Sequence, residues 1–237
     1  MLFKKLVELS APLPPEERVV MYDACDEQEV SEPLGFFRRR LDARRNKKPR
    51  QAAVQRHVCT PFDPAAFNFS KIRDARERLL TLGLKGGEYE LLANRFPLFR
   101  AHILLVARSL VPQQMSTDHL HAVSELVEAC SFCAYFNSWC ASASVNHFHV
   151  HVVGEMPPVT HFPLVGGPTV CGVRCLHPDG FPGFCYVFPT SHLKLVDRVV
   201  KAMQVHSHPL APPPPRPAPP RPVATLTALI TGGQPAA

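Results

Sequence analysis

Apolar and polar residues alternate one by one along "NHFHVHVV" (146–153). Successive side chains of a strand point to opposite faces, so the pattern predicts a β-strand. Phe148, Val150 and Val152 would line a core face, and His147, His149 and His151 the other. β-branched and aromatic residues favour that conformation. "GEYELLANRF" (87–96) and "AHILLVAR" (101–108) read as two earlier strands, with a turn at Pro97. Over 116–136 the period lengthens: Leu120, Val123, Leu126, Val127 and Cys130 fall at helical spacing, with Ser116 or Thr117 placed to cap. The polar loop "NSWCASAS" (137–144) leads into the histidine strand. Residues 57–80 pass from a proline-punctuated turn into a polar, helical stretch, and 181–203 read as a strand followed by a helix. Strand, strand, helix, loop, strand predicts an α+β fold, an antiparallel sheet with packed helices.

The flanks differ. Residues 1–33 read as loosely structured, with a short helix at 2–9. "HPLAPPPPRPAPPRP" (208–222) reads as an extended polyproline spacer, because proline fixes φ and donates no amide hydrogen. "VATLTALITGG" (223–233) reads as a brief apolar tail. The expected organisation is an N-terminal segment (1–35), a catalytic domain (36–205) and a proline-rich tail (206–237).

Composition narrows the class. At 237 residues and 46% hydrophobic, the chain can bury one good core. No run is long and apolar enough to predict a membrane span, and the first twenty residues do not resemble a secretory signal. The expectation is a cytoplasmic protein with reduced cysteines. The net charge of +6 is concentrated in "RRRLDARRNKKPR" (38–50), which sets eight Lys/Arg against one Asp. Aromatic interleaving is absent there, so nucleic acid is not an expected partner. A solvated loop is the first reading of the run and a small anionic ligand the second.

Three aligned imidazoles have three readings. They could be ordinary surface or hydrogen-bonded histidines, although three in register make that a poor account. Two or three could share a zinc ion. Or one could attack phosphorus while its neighbours orient it and bind oxygen. The flanks favour the third. His-φ-His-φ-His-φ-φ, matched at 147–153, is the signature of the histidine-triad superfamily. "PFDPAAFNFSKI" (61–72), preceded by "LDARRNKKPR" (41–50), resembles the N-terminal signature of the GDP-hexose phosphorylases. These are the GDP-D-glucose phosphorylases of animals and the GDP-L-galactose phosphorylases of plants. "AHILLVARSLVPQQ" (101–114), "YFNSWCASASVNHFHVH" (135–151) and "FPGFCYVF" (181–188) resemble later segments of the same family, so the likeness runs from about residue 36 to 203.

That resemblance implies phosphorolysis of a GDP-hexose, GDP-D-glucose above all, to GDP and hexose 1-phosphate. His149 would attack the α-phosphorus and carry GMP, with His147 and His151 orienting it or meeting phosphate oxygens. Asn137, Ser144 and Asn146 fall at its substrate-binding positions. The implied partners are a GDP-sugar and inorganic phosphate, with no metal or other cofactor.

Departures from the family pattern are specific. Cys140 stands where a glycine is expected, and Arg100-Ala101-His102 where a Gly-His pair is usual. His151 fits the animal branch, since the plant enzymes have Gln there. A proline tract replaces the second substantial segment, so the chain reads as C-terminally truncated. Two alternatives follow: a histidine-triad nucleotide hydrolase, and a catalytically inactive truncated paralogue acting as a binding protein. Cys130, Cys133, Cys171 and Cys175 could make a zinc site, but a late-helix position for the first pair favours core cysteines. The proline tract is read as linker first and as an SH3-type ligand second.

Overall fold

The computed structural model describes residues 19–20, 28–31, 38–41, 60–99, 101–130, 132–139, 141, 143–170, 172–181, 183, 185–188, 193–206 and 227–231. The helix expected at 2–9, the polyproline tract, Arg100, Cys140 and Cys171 lie outside them. Strands β1 (Gln28–Ser31) and β2 (Arg38–Leu41) form a separate antiparallel pair, so the start of the basic run is extended. The main body comprises β3 (Arg78–Leu84), β4 (Gly87–Ala93), β5 (His102–Ala107), helix α1 (Thr117–Cys130), β6 (Cys133–Asn137) and β7 (His149–Val153). A hairpin, β8 (Leu164–Val170) and β9 (Val173–Pro178), follows, then helix α2 (Leu193–His206) and β10 (Thr227–Thr231). Six strands make one antiparallel sheet in the order β10-β6-β7-β5-β4-β3, with the histidine strand in its interior. The α+β architecture expected from the sequence is the one present.

The sheet's two faces differ as the alternating pattern requires. Ile103 and Leu105 of β5, Leu91 and Ala93 of β4, and Phe148, Val150 and Val152 around β7 join one buried cluster. Leu120, Val123, Leu126 and Val127 of α1 complete it. Helix α2 docks on α1 through Val200 and an ionic contact: Thr117 Oγ1 donates to Asp197 at 2.6 Å, and Lys201 Nζ reaches both. On the opposite face Leu92, Leu104 and Val106 pack under Phe69.

Four expectations are corrected. Residues 78–80, the end of the stretch expected to be helical, open an edge strand that runs to Leu84. Asn68 and Asp74 each cap one 3-10 turn, and the two-residue connection Lys85-Gly86 then folds β3 back on β4. Pairing outweighs the helix preference of "RDARERLL". Gly86 has φ +82°, and a Cβ there would meet Asp118 Cβ at 2.5 Å. The helix expected through 136 stops at Cys130, because Cys133–Asn137 pairs with both β7 and β10. Cys133 is therefore a buried strand residue, not a helical one. The strand expected at 181–188 is reduced to a bridge between Leu176 and Val187. Thr227–Thr231, read as an apolar tail, forms the outer strand beside β6. Among the described residues no helix is long and apolar enough to cross a membrane.

His119 belongs to the core side. Its ring stacks on Phe148 at 3.6 Å and 17°, with Nδ1 3.2 Å from the Gln114 carbonyl. Desolvation lowers its pKa from the ordinary 6.5. The unfolded chain then binds a proton near that pH while the folded chain resists it, so the stability this ring contributes is complete above 6.5 and is lost as pH falls. We expect the unfolding free energy from urea titrations to fall between about pH 7.5 and pH 5.5, by at most about 1.4 kcal/mol per pH unit for this group. His119→Phe should give a shallower dependence; an equally steep one would show that His119 does not titrate differently on folding.

Candidate functional site

The three histidines share the sheet face opposite α1, but the backbone treats each differently. His147 lies just before β7 and is 1% exposed. Its Nδ1 accepts from the Phe69 amide at 3.3 Å, so Nε2 carries the proton and donates to the Ser109 carbonyl at 3.0 Å. Desolvation lowers its pKa. Both nitrogens thus serve the fold, tying β7 to the segment after β5 and to the turn around Phe69.

His149 has the opposite tautomer. Its Nδ1 lies 2.8 Å from the carbonyl oxygen of His147, an acceptor only, so Nδ1 carries the proton and Nε2 the lone pair. The ring is buried at 3% exposure beneath Phe69, centroid to centroid 5.0 Å.

His151 is set by a residue that the strand pattern leaves unremarked. Leu98 N–H donates to His102 Nδ1 at 2.9 Å. With Nδ1 accepting, the neutral His102 ring carries its proton on Nε2, although the Asn94 amide nitrogen, oriented by the bond from the Phe96 amide to Asn94 Oδ1, lies 3.0 Å from it. His102 Nε2–H therefore donates to His151 Nδ1 at 2.8 Å, which leaves the proton of His151 on Nε2. His102 is 3% exposed, and its position at the head of an otherwise apolar strand was the available signal.

Gln113 is the second residue that pattern reading passes over. It is 1% exposed. Its Oε1 accepts from the His149 amide at 2.7 Å, and its Nε2 donates to the carbonyls of Asn137 at 2.8 Å and His149 at 2.9 Å. Its own amide donates to Asn146 Oδ1 at 3.0 Å. The Pro-Gln pair after β5 marks it in the sequence.

The expected substrate-binding residues fall in distinct places. Asn137 ends β6 and gives its carbonyl to Gln113. Asn146 Nδ2 donates to the carbonyls of Pro61 at 3.0 Å and Thr60 at 3.3 Å, while its Oδ1 accepts from Gln113. Ser144 is exposed in the bend that enters the histidine segment. The "PFDPAAFNFSKI" segment is thus latched over the histidine face by Asn146, by His147, and by Arg78, which reaches the carbonyls of Phe69 at 3.4 Å and Ser70 at 3.5 Å. Among the described residues no group of three or more His, Cys, Asp or Glu could hold a metal ion. Burial pushes the Cys133 thiol up to about 12.

A six-stranded antiparallel sheet with helices on one face and a histidine strand in its interior defines a histidine-triad-like fold. Yeast Ap4A phosphorylase Apa2 has a similar one: TM-score 0.53 at 16% identity over 97% of this chain and 78% of that one. Its Ap4A complex gives 0.52 at 15% identity, over 87% and 73%. Its AMP complex overlaps over only 51% of this chain and 48% of that one, at TM-score 0.38 and 20% identity. No curated protein sequence matches the chain. The family model described as "GDPGP1-like, N-terminal domain" matches residues 19–153, more than half of the chain. The chain belongs to that family, in agreement with the resemblance carried by "PFDPAAFNFSKI" (61–72) and the histidine strand.

Replacing Gln113 by methionine keeps the length and removes the polar atoms. One amide and two carbonyls would then lose their bonds to the carboxamide, at roughly 1–3 kcal/mol for each group left unsatisfied. We expect Gln113→Met to lose several kcal/mol in equilibrium denaturation; a loss under about 1 kcal/mol would mean that the clamp is not holding the strands.

Proposed function

We propose that this protein is a nucleotidyltransferase that cleaves a GDP-hexose, GDP-D-glucose first among them, with inorganic phosphate. The observation that carries the proposal is the His149 tautomer: Nδ1–H donates to the His147 carbonyl, so Nε2 is the nucleophilic nitrogen. In the first step Nε2 attacks the α-phosphorus. The bond from that phosphorus to the bridging oxygen breaks, and hexose 1-phosphate leaves with the electron pair. The ring becomes cationic while its Nδ1 keeps the proton, and the His147 carbonyl stabilises that charge through the existing hydrogen bond. In the second step an oxygen of inorganic phosphate attacks the same phosphorus, Nε2 departs with its pair, and GDP is released. Splitting one displacement into two is the gain of covalent catalysis.

His151, with its proton on Nε2, donates to an oxygen of the attacked phosphate and offsets charge there. His147 acts through the main chain, by holding the carbonyl that fixes His149. Asn137 and Ser144 would supply donors to the nucleotide. No metal is required for these steps. His149 as a whole is 3% exposed, with the Phe69 ring 5.0 Å away, and a site that keeps bulk water from the phosphoryl-histidine would favour transfer to phosphate over hydrolysis. Phosphate as acceptor is also what the name of the similarly folded Ap4A phosphorylase describes. Family membership favours the GDP-sugar as donor.

The test uses GDP-glucose labelled on the α-phosphate, without inorganic phosphate. Wild type should form an acid-labile adduct that His149→Ala lacks, and added phosphate should discharge it as GDP. Discharge as GMP at a rate indifferent to phosphate would replace the proposal with the hydrolase. Normal GDP binding without any label uptake would leave a nucleotide-binding protein.

A further inference from the structure

An aromatic group at the far end of the histidine face is arranged more closely than packing requires. Tyr135 on β6 pairs in register with His151 on β7. Its ring lies face to face with His151, centroids 4.6 Å apart and planes 7° apart. His102 meets the same imidazole edge-on, at 5.0 Å and 63°, through the His102 Nε2–H to His151 Nδ1 bond. Phe99 closes the group, 5.8 Å from His102 and 6.5 Å from Tyr135.

These contacts restrain different motions. The hydrogen bond selects which nitrogen of His151 is protonated, but one bond lets the ring swing about its own axis. The terminal torsion of a histidine is broad and opposes that swing weakly. A flat face stacked on the ring opposes it directly, since tilting would break contact with Tyr135. The Tyr135 hydroxyl is 3.4 Å from His102 Nε2, too long to add much. The ring, and not the hydroxyl, does the holding.

We propose that Tyr135 is a positioning residue: its stacked ring fixes the plane of His151, so that His151 Nε2–H stays aimed at the phosphate attacked by His149. The two imidazoles are 5.5 Å apart and meet at 71°, so a tilt of His151 moves its N–H off the reacting group while leaving His149 in place. The inference rests on His149 being the nucleophile.

The experiment measures single-turnover labelling from α-labelled GDP-glucose in the full chain as wild type, Tyr135→Phe and Tyr135→Leu. Leucine fills much of the space without offering a flat face. Tyr135→Phe should stay within about threefold of wild type. Tyr135→Leu should lower the maximal rate about tenfold or more, with the half-saturating concentration within about threefold and the melting temperature unchanged. An undiminished maximal rate in Tyr135→Leu, or an equal fall in Tyr135→Phe, would overturn the proposal. So would a change confined to half-saturation, which would make Tyr135 a binding residue. If wild type forms no adduct, the nucleophile reading fails, and the mobility of the His151 ring, read from NMR relaxation of its ring carbons, decides instead. A rigid ring in wild type and Tyr135→Phe but a mobile one in Tyr135→Leu would support positioning; an equally rigid ring in all three would overturn it.

Discussion

The carboxamide of Gln113 sits at 1% exposure between two strands and makes three bonds to their backbones, one to an amide and two to carbonyls. Its placement resolves a geometric problem. β6 and β7 pair only through Cys133–Tyr135, so their ends diverge just where the site must be held. An unpaired backbone group buried there would cost about as much as a lost hydrogen bond. Gln113 supplies the missing partners, and its own amide engages Asn146, which in turn grips the chain at Thr60 and Pro61. Strand β6 and the histidine strand are thereby joined through one side chain, and the covering segment is tied to them through the Gln113 main-chain amide and Asn146.

Within that frame the histidines have different chemistry although they share a strand face. The difference arises from which backbone group each ring nitrogen meets. His147 accepts from an amide at Nδ1 and so bears its proton on Nε2. His149 meets a carbonyl at Nδ1 and so bears its lone pair on Nε2. His151 receives a proton at Nδ1 from His102 and so presents Nε2–H. Three imidazoles alike in sequence thus present different nitrogens, set by the Phe69 amide for His147, by the His147 carbonyl for His149 and by the His102 ring for His151.

What was legible in the sequence divides along the same line. Local pattern carried the histidine strand, β4, β5 and both helices: alternation for the first, helical spacing for α1, and for β5 a short apolar run that is buried on both faces. It failed at 78–80, where the start of an edge strand exposes Leu80 at 51% and needs no clean alternation. It failed again at 130–137, where the apolar run continues across the change from helix to strand. The hairpin 164–178 was invisible because "LVGGPTV" is largely exposed and has no period. His149 and its neighbours could be named from spacing and family likeness. The tautomers could not: those of His147 and His151 depend on Phe69, Ser109 and His102, distant in sequence, and that of His149 on the rotation of its ring toward the nearby His147 carbonyl. His102 and Gln113 were visible only as parts of family-like segments, because a single polar residue in a strand or after a proline carries no periodic signal.

The account stands on the claim that His149 differs from its neighbours in which nitrogen is protonated. Nitrogen-15 chemical shifts of the histidine rings, recorded on the free protein near neutral pH with single-site substitutions for assignment, read this directly. The account predicts a protonated Nδ1 and bare Nε2 for His149, and the reverse for His147 and His151. A protonated Nε2 on His149 would place its lone pair against the His147 carbonyl and contradict the mechanism at its first step.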